Sequence, residues 1–113
     1  MAKITTAVPS KPVGAQDEKV HTEVNDVLAQ RGNVHGKFGD NATFHEYMMA
    51  GMQAHRNGIG WQNLSARQKL SLDAMAQKIA RILSGDPNFI DHWLDVEGYA
   101  KLVRVNLETG EDR

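Results

Sequence analysis

From about residue 17 onward, apolar positions recur with a helical period and not the alternation of a strand. Val20, Val24, Val27 and Leu28 form one stripe at helical spacing, which predicts a first helix over about 17–31, closed by Gly32. The Gly-rich segment GNVHGKFGDN follows. Asp40 or Asn41 is then a good N-cap for a second helix that turns Phe44, Tyr47, Met48 and Met52 inward. Gly51 on that face predicts a closely approaching neighbour, and RNGIG ends the helix near Gly58. Ser65, with Gln68 three residues on, fits a capping box. The helix it opens presents Leu72, Met75, Ile79, Ile82 and Leu83 on one face until SGDPN stops it. A last helix is predicted from Asn88 or Phe89 to about Val105. The expected fold is therefore all-α, a four-helix antiparallel bundle over residues 17–105. A flexible N-terminal tail (1–16), with Pro9, Pro12 and Gly14, precedes it, and a polar tail (106–113) follows.

Composition narrows the function classes. With 113 residues, 41% of them apolar and 24% charged, the chain has the make-up of one soluble domain with a modest core. Basic residues number 13 against 14 acidic, so no general attraction to nucleic acid or anionic lipid is expected. The bases are not interleaved with aromatics in a stripe, which argues against sequence-specific nucleic-acid binding. Absence of cysteine excludes disulfides, thiol catalysis and cysteine-ligated zinc. No apolar run approaches the roughly 20 residues that span a bilayer, and MAKITTAVPSKPVG lacks the apolar segment of a secretory signal. A cytoplasmic protein with no membrane partner is expected.

The segment DHWLDVEGYAKLV raises the sharpest chemical question. Asp91 and Asp95 stand one helical turn apart. On a helical wheel they border the apolar face of Val96, Tyr99, Leu102 and Val103, with His92 among these, and lie away from Glu97, Lys101 and Arg104. One reading is structural: Asp91 caps the first turn, and Asp95 bridges to a lysine or arginine of the third helix. The other is a divalent-metal site, since hard oxygen ligands at this spacing suit Mg²⁺. Lys78 and Arg81 on the third helix are the bases within reach in either case. They either neutralise the aspartates or meet a phosphate.

The loop HGKFGDN also has two readings. Its glycines serve tight turns, or its amides and Lys37, at a helix N-terminus with His35 nearby, make an anion site. HEYMM begins like a zincin motif but has Met49 where the second histidine belongs. His55 and His92 read as core-edge histidines, and Trp61 and Trp93 as buried anchors.

RGNVHGKFGDNA, then W..LS..Q, then KIARILSGDPN..DHWLDVEGYAKLV resemble a family of small phage and prophage proteins of unassigned function, over about residues 23–104. More distantly, the late helix is similar to that of MazG-like all-α nucleotide pyrophosphohydrolases and phage nucleotide-modification-associated domains. That likeness implies Mg²⁺ on Asp91 and Asp95, with Lys78 and Arg81 toward the triphosphate and Tyr99 close by. The E-x-x-E pair those enzymes carry on an earlier helix has no counterpart here, and Asp40 is the best substitute. The expectation is a small phage-type protein that binds or hydrolyses a nucleotide with Mg²⁺ on Asp40, Asp91 and Asp95. The phosphates would lie among Lys78, Arg81, His35 and Lys37. The alternative is a non-enzymatic, oligomeric protein that binds a host factor through an exposed surface including Met49, Ile59 and Leu94.

Overall fold

The computed structural model describes residues 15–112, with side chains from Glu23 onward. Among these there is no strand, and the chain is all-helical. Its elements are α1 (Ala15–His35), α2 (Phe38–Ala54), a 3-10 turn (His55–Gly58), the single turn α3 (Ile59–Gln62), α4 (Ala66–Ser84) and α5 (Ile90–Thr109). No described helix is long and apolar enough to cross a membrane. The expected N-terminal tail lies outside the described residues, except that Ala15 and Gln16 already belong to α1.

Several boundaries move for local reasons. α1 runs past Gly32 to His35 and ends where Gly36 takes a left-handed φ of 80° and its N–H donates to the Gly32 carbonyl. α2 starts at Phe38, with Lys37 as its N-cap, so Asp40 lies inside the first turn and not at the cap. α4 begins as expected. The Gln68 N–H donates to Ser65 Oγ at 3.1 Å and the Ser65 N–H to Gln68 Oε1 at 2.9 Å. α5 continues four residues into the segment expected as a polar tail, and Gly110 closes it in the left-handed conformation.

α4 is the central element and packs against both α5 and α2. Ser71, Ala76, Ala80 and Ile82 of α4 are buried, together with His92 and Val105 of α5. Ile79 and Leu83, expected inside, are exposed, and no residue of α2 is buried. Tyr47, expected on an inner face, is 76% exposed, and Gly51 has nothing within 4 Å of where a Cβ would stand. Trp93 is also exposed, its Nε1 donating to the Pro87 carbonyl, and His55 is exposed as well.

Among the described residues, α1 meets α4 at its C-terminal end. Every residue from Glu23 to Arg31 is exposed. The radius of gyration, 19.1 Å, is far above the roughly 13 Å of a compact chain near this length, and the extents are 58 × 32 × 25 Å. The crossing that fixes α1 is a contact of backbone on backbone. The Asp86 N–H donates to the Val34 carbonyl at 2.9 Å. A Cβ on Gly85 would stand 2.3 Å from the Val34 oxygen, and one on Gly36 would stand 2.4 Å from Ser84 Cβ. Two segments singled out in the sequence, VHGKFG and SGDPN, are therefore the two halves of one helix junction.

Candidate functional site

That junction places His35, the last residue of α1, on His92 in the first turns of α5. His35 Nδ1 and His92 Nε2 share a hydrogen bond of 2.9 Å, one nitrogen donating and the other accepting. Phe89 closes the group with edge-on ring contacts to both imidazoles, at centroid distances of 5.4 and 5.0 Å. His92 is 2% exposed. Burial pushes both imidazoles below their ordinary range, most strongly of all the causes acting on either. The neighbouring cations act in the same sense, Arg81, Arg31 and Lys78 on His35 and Lys78 and Arg81 on His92. Asp95 opposes them weakly at His92. The pair is thus held neutral inside a ring of positive charge.

On the other side of His35 a cleft of about 680 Å³ opens between the end of α1 and the start of α2. Arg31, His35, Lys37 and Arg81 line it, with Leu28, Phe38 and Asn41. Among the described residues no ion pair involves Arg31, Lys37 or Arg81. The first turn of α2 contributes backbone N–H groups that no side chain caps. Phe38 stands at the rim, 88% exposed. Asn41 donates from Nδ2 to the His35 carbonyl at 2.8 Å, while its buried Oδ1 has no partner. Chemically this is a cationic cavity with an aromatic surface beside it.

The residues expected to form one site are divided among several places. His35, Lys37 and Arg81 converge on the cleft. Lys78 is bound to Asp95 across the α4–α5 contact at 3.0 Å, the structural bridge of the two readings. Asp91 is exposed in the first turn of α5, where negative charge suits the helix dipole, but the N-cap is Phe89 and makes no side-chain cap bond. Asp40 is exposed in the first turn of α2. Among the described residues Asp40, Asp91 and Asp95 do not form a group that could hold a metal. Tyr99 lies away from the cleft, beside Arg67, Leu70 and Ser71.

Two features escaped sequence reasoning. Arg31 was read as the end of a helix and not as part of the anion site, because only the crossing of α1 over α4 brings it to Arg81. His45 Nε2 lies 2.7 Å from Asp73 Oδ1, which also accepts from Gln77 Nε2 at 3.2 Å. The Gln77 and His45 hydrogen bonds hold the Asp73 carboxyl below its ordinary range. The only signal in the sequence was the one-turn spacing of Asp73 and Gln77.

No protein-family model, curated protein or solved structure matches the chain.

Proposed function

We propose that this protein binds a nucleotide through its phosphates in the cleft between α1 and α2. The observation that carries the reading is the convergence of Arg31, Lys37 and Arg81, none ion-paired among the described residues, on one cavity at a helix N-terminus. Its volume lies within the range of small-molecule sites. Guanidinium groups suit bidentate phosphate binding, and helix-start amides add donors of fixed direction. Phe38 at the rim offers a face for the base, a contact typically worth about 1–3 kcal/mol. Within the site, His35 is a neutral donor or acceptor and adds no charge. The resemblance to MazG-like domains points to the same ligand class.

Calorimetry with a panel of nucleoside mono- and triphosphates, with and without Mg²⁺, tests the proposal. Arg31→Gln and Arg81→Gln are each expected to weaken binding about 10- to 100-fold, the loss of one charge-assisted hydrogen bond. Release of pyrophosphate in the Mg²⁺ arm would make the protein a hydrolase, and binding without release a nucleotide-binding protein. No heat and no thermal shift at millimolar nucleotide would remove the reading.

A second reading, a partner-binding protein without catalysis, is favoured by the exposure of Ile59 and Leu94, although Met49 is half-buried. Pull-down from host lysate with an Ile59→Asp, Leu94→Asp control separates it from the first.

A further inference from the structure

α1 is a helix without a groove. From Glu23 to Arg31 all its residues are exposed, among them the stripe Val24, Val27 and Leu28. Helices in proteins are stabilised mainly by packing an apolar face. Val24, Val27 and Leu28 need a surface to lie on.

The rest of the chain has a groove without a helix. Tyr47, Met48, Met52, Met75 and Ile79 line an open trough of about 440 Å³ between α2 and α4, with Val96 of α5 at its edge. Gly51 lies in it, with nothing within 4 Å of where a Cβ would stand, a close-neighbour position that no described residue fills. Methionines suit a surface that receives another helix, because they adapt their shape to it.

We infer that two copies of this chain exchange α1, each laying its Val24–Val27–Leu28 stripe in the α2–α4 groove of the other. Three observations select a second copy over any other occupant. The stripe and the groove are both apolar and both unfilled among the described residues, so one two-fold exchange satisfies both at once. The dimensions agree: α1 of 21 residues is about 31 Å long and α4 of 19 residues about 28 Å, at 1.5 Å per residue. The area is also of the right size. Of the exposed large apolar residues, Val24, Val27 and Leu28 of the stripe and Tyr47 and Ile79 of the groove leave roughly 500 Å² open per chain, taking about 150–250 Å² for each when fully exposed. Covering these on both copies removes roughly 1,000 Å² of apolar surface in total, about the area at which an interface becomes specific. In the exchanged dimer α2, α4 and α5 of one chain receive a fourth helix from the other.

The absence of native cysteine allows a direct test with the full chain. Val27→Cys and Tyr47→Cys are made in separate chains. Both positions are exposed within one chain, so neither change disturbs its own core. Mixed, unfolded together, refolded and mildly oxidised, the two are expected to give a disulfide-linked species of twice the 12.5 kDa chain mass. Val27→Cys alone should give little of it. Sedimentation equilibrium of the unmodified protein should show a dimer, with a melting temperature that rises with concentration. Val27→Asp should shift the protein toward monomer and remove that dependence. A monomer at micromolar concentration would overturn the inference. So would a dimer in which Val27→Cys links mainly to itself, since α1 would then pack on α1 and not in the groove.

Discussion

Gly85→Ala adds a single methyl group where α1 crosses the end of α4. The new Cβ would stand 2.3 Å from the Val34 oxygen, 2.6 Å from the Gly36 nitrogen and 2.7 Å from the His35 carbonyl carbon. All three neighbours are backbone, so no side chain can swing aside. Ordinary contact begins near 3.4 Å, and the two chain segments must separate by about 1 Å. That movement breaks the 2.9 Å bond from the Asp86 N–H to the Val34 carbonyl, a loss of about 1 kcal/mol. It also draws His35 away from His92, leaving an imidazole that is 2% exposed without its partner, a further ~1–3 kcal/mol. Restricting the unfolded chain returns about 0.4–1 kcal/mol. The net expectation is a loss of about 2 kcal/mol in urea unfolding at neutral pH, together with weaker nucleotide binding, because Arg31 and Arg81 move apart. Gly98→Ala is the control. It lies inside α5 with nothing within 4 Å of a Cβ, and should stabilise by about 0.5–1 kcal/mol. Equal effects at the two glycines, or no loss at Gly85, would refute the junction as described.

The histidine pair predicts an acid-sensitive fold. Both imidazoles have lowered pKa values, so between the folded values and the ordinary 6.5 the unfolded chain binds more protons. Stability is then complete above about pH 6.5 and declines as pH falls below it, by up to ~1.4 kcal/mol per pH unit for each proton taken up. His92→Gln keeps a hydrogen-bonding partner for His35 and should flatten this decline in urea midpoints measured across that range; an unchanged slope would locate the acid sensitivity elsewhere. For the Lys78–Asp95 bridge, Asp95 is half exposed, so Asp95→Asn should cost less than about 1 kcal/mol. Thermal melts of both proteins should be indifferent to Mg²⁺. A Mg²⁺-dependent rise lost in Asp95→Asn, with a more stable metal-free variant, would instead identify Asp95 as a metal ligand.

The helices were readable because their signals are local. The Ser65–Gln68 capping box needs only four residues, and the structure contains both of its hydrogen bonds. The Lys78–Asp95 bridge was one of two readings of the same spacing, and it forms because of how α4 lies on α5. What local periodicity does not encode is which of two candidate faces becomes the interface. Leu72, Met75, Ile79 and Leu83 belong to the larger apolar stripe on α4, yet Ile79 and Leu83 are exposed while Ser71, Ala76 and Ala80 are buried. The glycines show the same division. VHGKFG and SGDPN were each legible as turns, but their function is mutual, 2.3 Å from a Gly85 Cβ to the Val34 oxygen, and no single-segment reading could pair them.

The candidate site follows from that pairing. Arg31 and Arg81 are fifty residues apart and sit on helices whose patterns give no reason to associate them. They share a cleft because Gly36 and Gly85 let two backbones cross. The buried His35–His92 bond then fixes the orientation of the end of α1 above Arg81. Placing several cations together costs stability unless an anion joins them, and a fold that spent its only described backbone crossing on creating such a cluster has the physical form of a binding site. The apolar stripe on α1 extends the argument along the same helix: one end is held by the chain's own junction, and the remaining length offers Val24, Val27 and Leu28 to a surface outside the chain. A second copy packing there would immobilise the helix that carries Arg31. Assembly and anion binding are then coupled, and nucleotide should raise the dimer fraction at a fixed protein concentration.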